Sequence, residues 1–531
     1  MTPSAKTRVV IVGAGATGAA FAWRAAAAGM DVVCLERGHW TPPASTPSAR
    51  ADWEVERLTS RSANPNIRKG VADYPIMDDT SVIKPAIYNG VGGSTVLWSA
   101  HAPRFRPSDF RVHSLDGVGA DWPFTYWDIA PYYEMNDDIV GVSGRSGDPG
   151  NPPRTPRQTP PVPLGGAGKR VAAALNQLGW HWWPTDGQIL TEPRNGRPAC
   201  NGCGPCEMGC FSGARASADN TYWPLALALG AKLITGASAT RISTDDQGLA
   251  KSVHWCDESG HQHETAGDYI VVACNGIGTP RLLLASANGD HSNGLANSSG
   301  QVGRNLMLHP IAGVTGIWDD RVDGWSGNDA FALLSQHFYE TDPDRGFLRG
   351  YEMQLTRSQG PLLTALGGFG LDISWGASHH QRFDTVFGHS ATLAVTCEDL
   401  PVDHNFISLD ASITDRFGVP AARMHYQVEE NAERMLDHGI AAAQKLLNQA
   451  GARETVTTRV LPGAGFHLMG TARMGTDPRS SVVDADCRSH DVPNLLIIDG
   501  SVFASAAAVN PTPTMQAIAL RAADQLVGAL S

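Results

Sequence analysis

The hydrophobic and polar positions at the start of the chain predict a strand, a tight turn, a helix and a second strand. Residues 9–12 form a continuous apolar run, VVIV, which is typical of a strand buried in a parallel sheet. The alanine-rich residues 19–28 predict a helix, and residues 31–35 predict the second strand. Near the other end, the Ala- and Leu-rich residues 515–530 predict another helix. We therefore expect a mixed α/β fold that begins with a strand–helix–strand unit.

The turn after the first predicted strand has the glycine spacing of a nucleotide-binding loop. In the sequence GAGATG, Gly13 permits a tight turn, Gly15 lets backbone N–H groups approach a pyrophosphate, and Gly18 lets the helix pack closely on the strand. Glu36 ends the second predicted strand, at a spacing that suits a carboxylate accepting from ribose hydroxyls. An acid there disfavours a 2′-phosphate and hence NADP. The alternative is a tight strand–helix turn that binds no nucleotide.

Two further stretches carry candidate chemistry. Residues 89–95, NGVGGST, form a glycine-rich loop that can lie flat against a planar ring and offer it N–H groups; the alternative is an ordinary turn. His467 lies among small residues in FHLMGTARMGTD, and Asn510 directly precedes a Pro-Thr-Pro-Thr run. A His and an Asn side by side can hold one alcohol oxygen, because the imidazole takes the proton and the amide orients the oxygen. His467 taken alone is more typical of a hydrogen-bonded core histidine, and only the nucleotide-binding motif at the other end of the chain favours a catalytic role.

Composition excludes several classes of partner. The 531 residues carry a formal net charge of −12, so nucleic acid and anionic membranes are poor partners. No apolar run approaches the ~18 residues of a membrane span, and the first residues show no apolar segment of the secretory type. We therefore expect a cytoplasmic protein, with export alongside a partner subunit as the alternative. Residues 326–384 are rich in polar and charged side chains, which favours a polar substrate.

The motifs together resemble those of the glucose–methanol–choline (GMC) oxidoreductases. The resemblance rests on GAGATG at 13–18, NGVGGSTVLW at 89–98, CNGIGTPRLLLAS at 274–286, HLMGTARMG at 467–475 and NPTPT at 510–514. Within that family the chain most resembles the large subunit of bacterial FAD-dependent glucose dehydrogenase, and it also resembles pyranose oxidases. The resemblance implies a Rossmann-like FAD-binding domain, residues 1–115, 200–315 and 460–531. It also implies an inserted antiparallel-sheet substrate domain, residues 116–199 and 316–459.

The resemblance also implies which residues hold FAD. The ADP part is expected against Gly13, Gly15, Ala16, Thr17, Gly18, Glu36, Arg37 and Ala239, and the flavin part against Asn89, Gly90, Gly92, Gly93, Ser94, Asn510, Pro511 and Thr512. Asp499 and Gly500 are expected at the pyrophosphate or the ribityl chain, and Gly276, Thr279 and Pro280 mainly shape a strand–helix corner. Leu97 stands where pyranose oxidases carry the histidine that tethers the flavin. We therefore expect FAD held without a covalent bond, and we assign no role to His101, four residues on.

Four cysteines form a further candidate site. Cys200, Cys203, Cys206 and Cys210 have the spacing C-x2-C-x2-C-x3-C of a bacterial ferredoxin, although Phe211 stands where proline is usual. In the glucose dehydrogenase large subunit, cysteines matching Cys200, Cys206 and Cys210 ligate a three-iron cluster. We expect these residues either to hold a 3Fe-4S or 4Fe-4S cluster, to be structural or unligated thiols or disulfides, or, less favourably, to bind zinc.

The leading functional hypothesis is an FAD-dependent enzyme that oxidises a hydroxyl of a sugar, glycoside or polyol. His467 would be the base, Asn510 would hold the same oxygen, and hydride would pass to flavin N5. The electrons would go to oxygen, a quinone, or an electron-acceptor subunit or cytochrome. One rival is a sterol or other non-sugar alcohol as substrate. A second rival, of another class, is a flavin-binding electron-transfer subunit that has no substrate chemistry of its own.

Overall fold

A parallel sheet built on the N-terminal strand anchors one half of the molecule. The computed structural model describes residues 6–327, 332–373 and 375–530. The strands of this part of the chain are β1 Arg8–Val12, β2 Asp31–Glu36, β3 Ile76–Met77, β4 Lys232–Thr235, β5 Ser238–Thr244, β6 Ala250–Cys256, β7 Gln262–Ala266, β8 Tyr269–Val272, β9 Ile311–Ile317, β10 Leu334–Ser335, β11 Tyr351–Thr356, β12 Ser390–Cys397, β13 Phe406–Thr414, β14 Pro420–His425, β15 Glu454–Thr458 and β16 Leu495–Ile497.

The helices fill the space around these strands. They are α1 Ala16–Ala27, α2 Trp53–Arg57, α3 Pro65–Arg68, α4 Val112–Asp116, α5 Tyr126–Val140, α6 Gly165–Leu178, α7 Tyr222–Ala228, α8 Asn275–Ala285, α9 Pro361–Ala365, α10 His379–Val386, α11 Glu430–Gln449 and α12 Thr512–Leu530. No helix in the described ranges is both long and apolar enough to cross a membrane.

The parallel sheet has the strand order β16-β8-β1-β2-β4, and its neighbours pair in parallel. Its central strand β1 is buried from Val9 to Val12, as its unbroken apolar run requires. Helix α1 begins at Ala16, three residues before the predicted start, because the end of the glycine motif forms its first turn. Helix α12 likewise begins at Thr512, since a first turn tolerates Pro513. The expected mixed α/β fold is confirmed.

An antiparallel sheet with the order β10-β11-β12-β9-β15 forms the second large layer. Helix α11 packs on one of its faces. Side chains on a strand alternate between faces, so Met353 and Leu355 of β11 join Leu393 and Val395 of β12 in the core under α11. Their neighbours point the other way, into the cavity described below; they are Gln354, Thr356, Thr392, Ala394 and Thr396.

Two three-stranded sheets complete the described architecture. Strands β13, β14 and β3 form one, and β5, β6 and β7 form the other. Strands β13 and β14 lie against helix α8, and β5 lies against α8 and β2. The parallel sheet takes its strands from both ends of the chain and from residues 232–272, and the antiparallel sheet takes its strands from residues 311–458. The domain limits expected from the sequence stay a prediction.

Candidate active site

A cavity of about 760 Å³ lies between the carboxyl ends of the parallel strands and the open face of the antiparallel sheet. Its walls run from the first glycine loop, past residues 84–99, to the start of α12 and the face of β11 and β12. A cavity at the carboxyl ends of parallel strands is the expected place for a nucleotide, and its volume is within the ~300–1,000 Å³ of ligand pockets.

The first glycine loop is shaped for close backbone contacts. Gly13 has φ +102°, and a Cβ there would lie 2.4 Å from Ala273 O. A Cβ on Gly18 would lie 2.0 Å from Gly13 O, so only glycine lets α1 start so close to β1. Gly15 lines the cavity beside Ala16 and Thr17 at the N-terminal end of α1. That end carries partial positive charge, which suits a pyrophosphate.

Glu36 is held at the end of β2 by two backbone donors. Ala14 N–H donates to Glu36 Oε2 at 2.8 Å, and Gly38 N–H donates to Oε1 at 2.9 Å. The side chain is buried and lines the cavity, and this burial raises the pKa of Glu36. The carboxyl group is therefore fixed in position beside the loop that would hold a pyrophosphate.

The second glycine loop meets the first one backbone to backbone. A Cβ on Gly93 would lie 2.8 Å from Gly15 Cα, and Gly92 N–H donates to Ala14 O at 2.9 Å. Gly92 has φ +95°, and Gly93 begins the 3₁₀ helix Gly93–Leu97. The two loops thus form one continuous wall of glycine backbone, which a planar ring and its phosphates could approach closely.

Most of the predicted cofactor residues line this cavity. They are Gly13, Gly15, Ala16, Thr17, Glu36, Arg37, Asn89, Gly93, Ser94, Ala239, Asp499, Gly500, Asn510, Pro511 and Thr512. Gly18, Gly90 and Gly92 support the loops from behind without lining it. Asp499 accepts hydrogen bonds from Asn275 N–H, Thr279 Oγ1 and Ser501 N–H, so its oxygens already tie the β16 end to α8.

Sequence reasoning missed a cation–aromatic stack at the β2 end of the cavity. The ring of Tyr74 lies between the guanidinium groups of Arg37 and Arg281, at 4.7 and 4.6 Å from its centroid. Asp415 pairs with both arginines, at 3.8 and 2.8 Å. Nothing in the pattern around Tyr74 signalled this, because the four residues come from distant parts of the chain.

His467 and Asn510 come together at the other end of the cavity, as predicted. Asn510 Nδ2 lies 3.3 Å from His467 Nε2, and both residues line the cavity. The structure also places His309 beside this pair, two residues before β9 begins. His309 Nδ1 lies 2.8 Å from His467 Nδ1, and His309 Nε2 lies 2.9 Å from Ala507 O.

The carbonyl of Ala507 fixes the protons of both histidines. A carbonyl oxygen only accepts, so His309 Nε2 carries its proton and donates to Ala507 O. A neutral His309 then has a lone pair on Nδ1, and His467 Nδ1–H must donate to it. The lone pair of His467 is therefore on Nε2, beside Asn510 and the cavity. This is the arrangement that a base for a substrate hydroxyl requires.

Burial keeps these histidines neutral. It lowers the pKa of His467 well below its ordinary value, and His309 and His101 lower it further. Burial also lowers the pKa of His309 to about 4 and that of His101 to about 3. His101 and Leu97 both line the cavity, so His101 belongs to the site although no role for it could be assigned from the motifs.

The four cysteines do not converge on a metal position. Across the described residues, no group of three or more His, Cys, Asp or Glu side chains could hold a metal ion. Cys203 is exposed, whereas Cys206 is buried beside Ala100 and Ile189. The thiol of Cys210 accepts from Arg215 N–H and lies 3.5 Å from Ser212 Oγ. The expected iron–sulfur ligand set therefore has no support in the geometry, although burial and the nearby Cys200 and Cys210 raise the pKa of Cys203.

Comparison with known sequences decides the family. The profile of the GMC oxidoreductases matches residues 165–311 and 401–519, and the profile of NAD(P)-binding Rossmann-like domains matches residues 11–72. The 2-methyl-1,2-propanediol dehydrogenase of Mycolicibacterium austroafricanum is 41% identical over 99% of this chain and 96% of its own length. The chain belongs to the GMC oxidoreductases. The expected family and its enzyme class, oxidoreductases, are confirmed.

Other members of the family cover the chain almost completely. The fructose dehydrogenase large subunit of Gluconobacter japonicus is 30% identical over 98% of both chains. The 6‴-hydroxyparomomycin C oxidase of Streptomyces lividus is 31% identical over 97% of this chain and 90% of its own. Among solved structures, pyridoxine 4-oxidase from Mesorbium loti superimposes with a TM-score of 0.66 at 17% identity, covering 98% of this chain and 99% of its own. This last likeness shows a shared fold.

Proposed function

We propose that this chain binds FAD without a covalent bond and oxidises a hydroxyl group of a polyol, sugar or glycoside. The observation that carries the proposal is the lone pair of His467 Nε2, which the Ala507–His309 contacts direct toward Asn510 and the cavity. The glycine walls and Glu36 fit the dinucleotide part of FAD, and Leu97 offers no nitrogen for a covalent link. Bound FAD would supply the hydride acceptor.

The residues of this chain would handle the proton. The substrate hydroxyl enters between His467 and Asn510 and replaces their 3.3 Å contact. Asn510 Nδ2–H donates to the alcohol oxygen. This contact orients the carbon that bears the hydroxyl within the cavity. His467 Nε2 accepts the hydroxyl proton as charge develops on that oxygen. The resulting imidazolium keeps its Nδ1–H bond to His309, which stabilises it in a buried place.

The shape and polarity of the cavity support a polar substrate. The floor beside the His–Asn pair carries Gln354, Thr356, Thr392 and Thr396. The names of the relatives point the same way, since they describe enzymes of a diol, a sugar and an aminoglycoside. A sterol would meet this polar floor without hydrogen-bond partners for it. A flavin-binding subunit without substrate chemistry would have no use for an oriented base.

We further propose the domain division expected from the sequence, with the parallel sheet in the FAD-binding domain and the antiparallel sheet in the substrate domain. The electrons leave to oxygen or to another acceptor. The relative named as a large subunit supports a partner subunit as that acceptor. We assign the four cysteines no role in electron transfer.

One experiment tests the proposal. Purified protein is mixed anaerobically with a panel of polyols, sugars, glycosides and a sterol, and flavin absorbance is followed; air is then admitted. We expect bleaching by at least one polyol or sugar and none by the sterol. Rapid recovery in air identifies oxygen as the acceptor, and slow recovery indicates an acceptor other than oxygen. A yellow protein that no hydroxyl compound bleaches would overturn the proposal, and a protein without flavin would overturn its first half.

A further inference from the structure

The hydrogen bonds around Asn510 continue into the antiparallel sheet. Gln354 Nε2 donates to Asn510 Oδ1 at 2.5 Å, and the same nitrogen donates to Glu352 Oε1. Gln354 and Glu352 are two residues apart on β11, so their side chains lie on the same face. Both are buried, and Gln354 lines the cavity.

One backbone carbonyl sets the direction of every bond in this chain of contacts. Because His467 Nε2 has the lone pair, the group of Asn510 that faces it must be the NH₂. Asn510 Oδ1 is then left to face Gln354, and an oxygen there needs a donor, so Gln354 presents its own NH₂. An amide flip at either residue would put two acceptors or two donors against each other. The orientation of Gln354 thus follows from Ala507 O, whatever the protonation of Glu352.

This orientation leaves Gln354 with one unused polar atom. Its two N–H groups are taken by Asn510 and Glu352. None of the described residues donates to its Oε1, and the side chain lines the cavity beside the place of the reacting alcohol. An acceptor that faces the cavity, with no donor among the described residues, can be paired only by a ligand or water in that cavity.

We propose that Gln354 determines substrate specificity by accepting a hydrogen bond from a second hydroxyl, on the carbon next to the one that is oxidised. The inference rests on the proposed function and adds to it the substrate class, a 1,2-diol or a vicinal pair of sugar hydroxyls. Asn510 donates a hydrogen bond to the reacting oxygen, and Gln354 accepts one from the neighbouring hydroxyl. A simple alcohol leaves Gln354 Oε1 unpaired.

The experiment compares 1,2-propanediol with 1-propanol by anaerobic stopped-flow reduction of the flavin. We expect the wild type to prefer the diol by at least about tenfold in second-order rate, since a site that pairs with a substrate hydroxyl discriminates against its absence. Gln354→Met keeps the length of the side chain and removes its acceptor, so that preference should fall to about one.

Two further variants test whether the diol preference comes from the acceptor of Gln354, from its hold on Asn510, or from the loss of any buried amide. Gln354→Glu keeps an acceptor but loses the NH₂ that holds Asn510; it should slow both alcohols and retain the diol preference. Gln188→Met is the matched control, because Gln188 is 1% exposed, donates to Gln516 at 3.0 Å and does not line the cavity. It should keep both rates and the preference.

The outcomes are distinct. If Gln354→Met keeps the wild-type preference for the diol, or if the wild type shows none, the inference is overturned while the proposed function stands. If no alcohol reduces the wild-type flavin, the proposed function itself fails. Loss of the diol preference in Gln354→Met and its retention in Gln354→Glu together support the assignment.

Discussion

His309 should control the base without touching the substrate, and replacing it isolates that effect. In His309→Leu, the Nδ1–H of His467 loses its 2.8 Å partner in a place where His309 itself is 0% exposed. The proton of His467 is then better placed on Nε2, where the substrate oxygen can accept it. That tautomer has no lone pair toward the substrate and cannot act as the base.

The magnitude follows from the cost of one unpaired buried N–H. That cost is about 1–3 kcal/mol, and each ~1.4 kcal/mol is tenfold. The productive tautomer should therefore become roughly 10- to 100-fold rarer, and flavin reduction should slow by about that factor. The loss should be smaller than for removal of the base itself, which typically costs ~10²- to 10⁴-fold.

The assay is anaerobic stopped-flow reduction by a saturating polyol, with bound flavin measured for each variant. His309→Gln serves as the control, because an amide can donate to Ala507 O with its nitrogen and accept from His467 with its oxygen. It should recover much of the rate lost in His309→Leu. A His309→Leu variant that binds FAD and is reduced as fast as the wild type would refute the role of His309.

Three further predictions follow from other parts of the molecule. Because burial holds the pKa of His467 well below its usual value, the rate of flavin reduction should stay level as pH falls from 8 through 6.5, and a rate that halves near pH 6.5 would contradict this expectation. The contribution of the buried histidines to thermal stability should be fully present above pH 6.5. It should decline below that pH, because the unfolded chain takes up protons that the buried histidines exclude. Iron and acid-labile sulfide should be absent from purified protein, since no group of three or more His, Cys, Asp or Glu side chains in the described residues is placed to hold a metal ion; stoichiometric iron with a cluster EPR signal would disprove that. Glu36→Gln leaves Ala14 N–H or Gly38 N–H unpaired and should weaken FAD binding by about tenfold or more in a reconstitution titration, whereas an unchanged affinity would show that Glu36 holds no cofactor.

Local patterns were enough to predict the nucleotide end of the site. The strand, the loop at Gly13 to Gly18 and the acid at Glu36 lie within thirty residues, and local chain geometry dictates their arrangement. The pairing of His467 with Asn510 was also predicted, on the motifs that carry the family resemblance. Only the limits of α1 and α12 differed, because their first turns include residues of the motifs.

The contacts that orient the base depend on long-range packing and were not predictable. His309 and His467 are 158 residues apart, and Gln354 and Asn510 are 156 apart. No short sequence pattern marks His309. Gln354 lies on a strand whose side chains simply alternate between the two faces of the sheet, so nothing in the sequence distinguishes it. Spacing typical of a ferredoxin predicts cluster ligands only if the loop gathers the sulfurs, and spacing alone does not decide this. In the structure the loop packs Cys206 inward and leaves Cys203 exposed, so the iron–sulfur ligand set stays a prediction without structural support.

The reduction rate of His467→Ala tests the central claim most directly. The variant should purify with FAD that acid precipitation releases into solution, because the glycine loops and Glu36, which fit the dinucleotide, are unchanged in it. Saturating polyol should reduce its flavin ~10²- to 10⁴-fold more slowly than that of the wild type in an anaerobic stopped-flow experiment. Reduction within about twofold of the wild-type rate would show that His467 is only a packed histidine, and the base would have to be another residue.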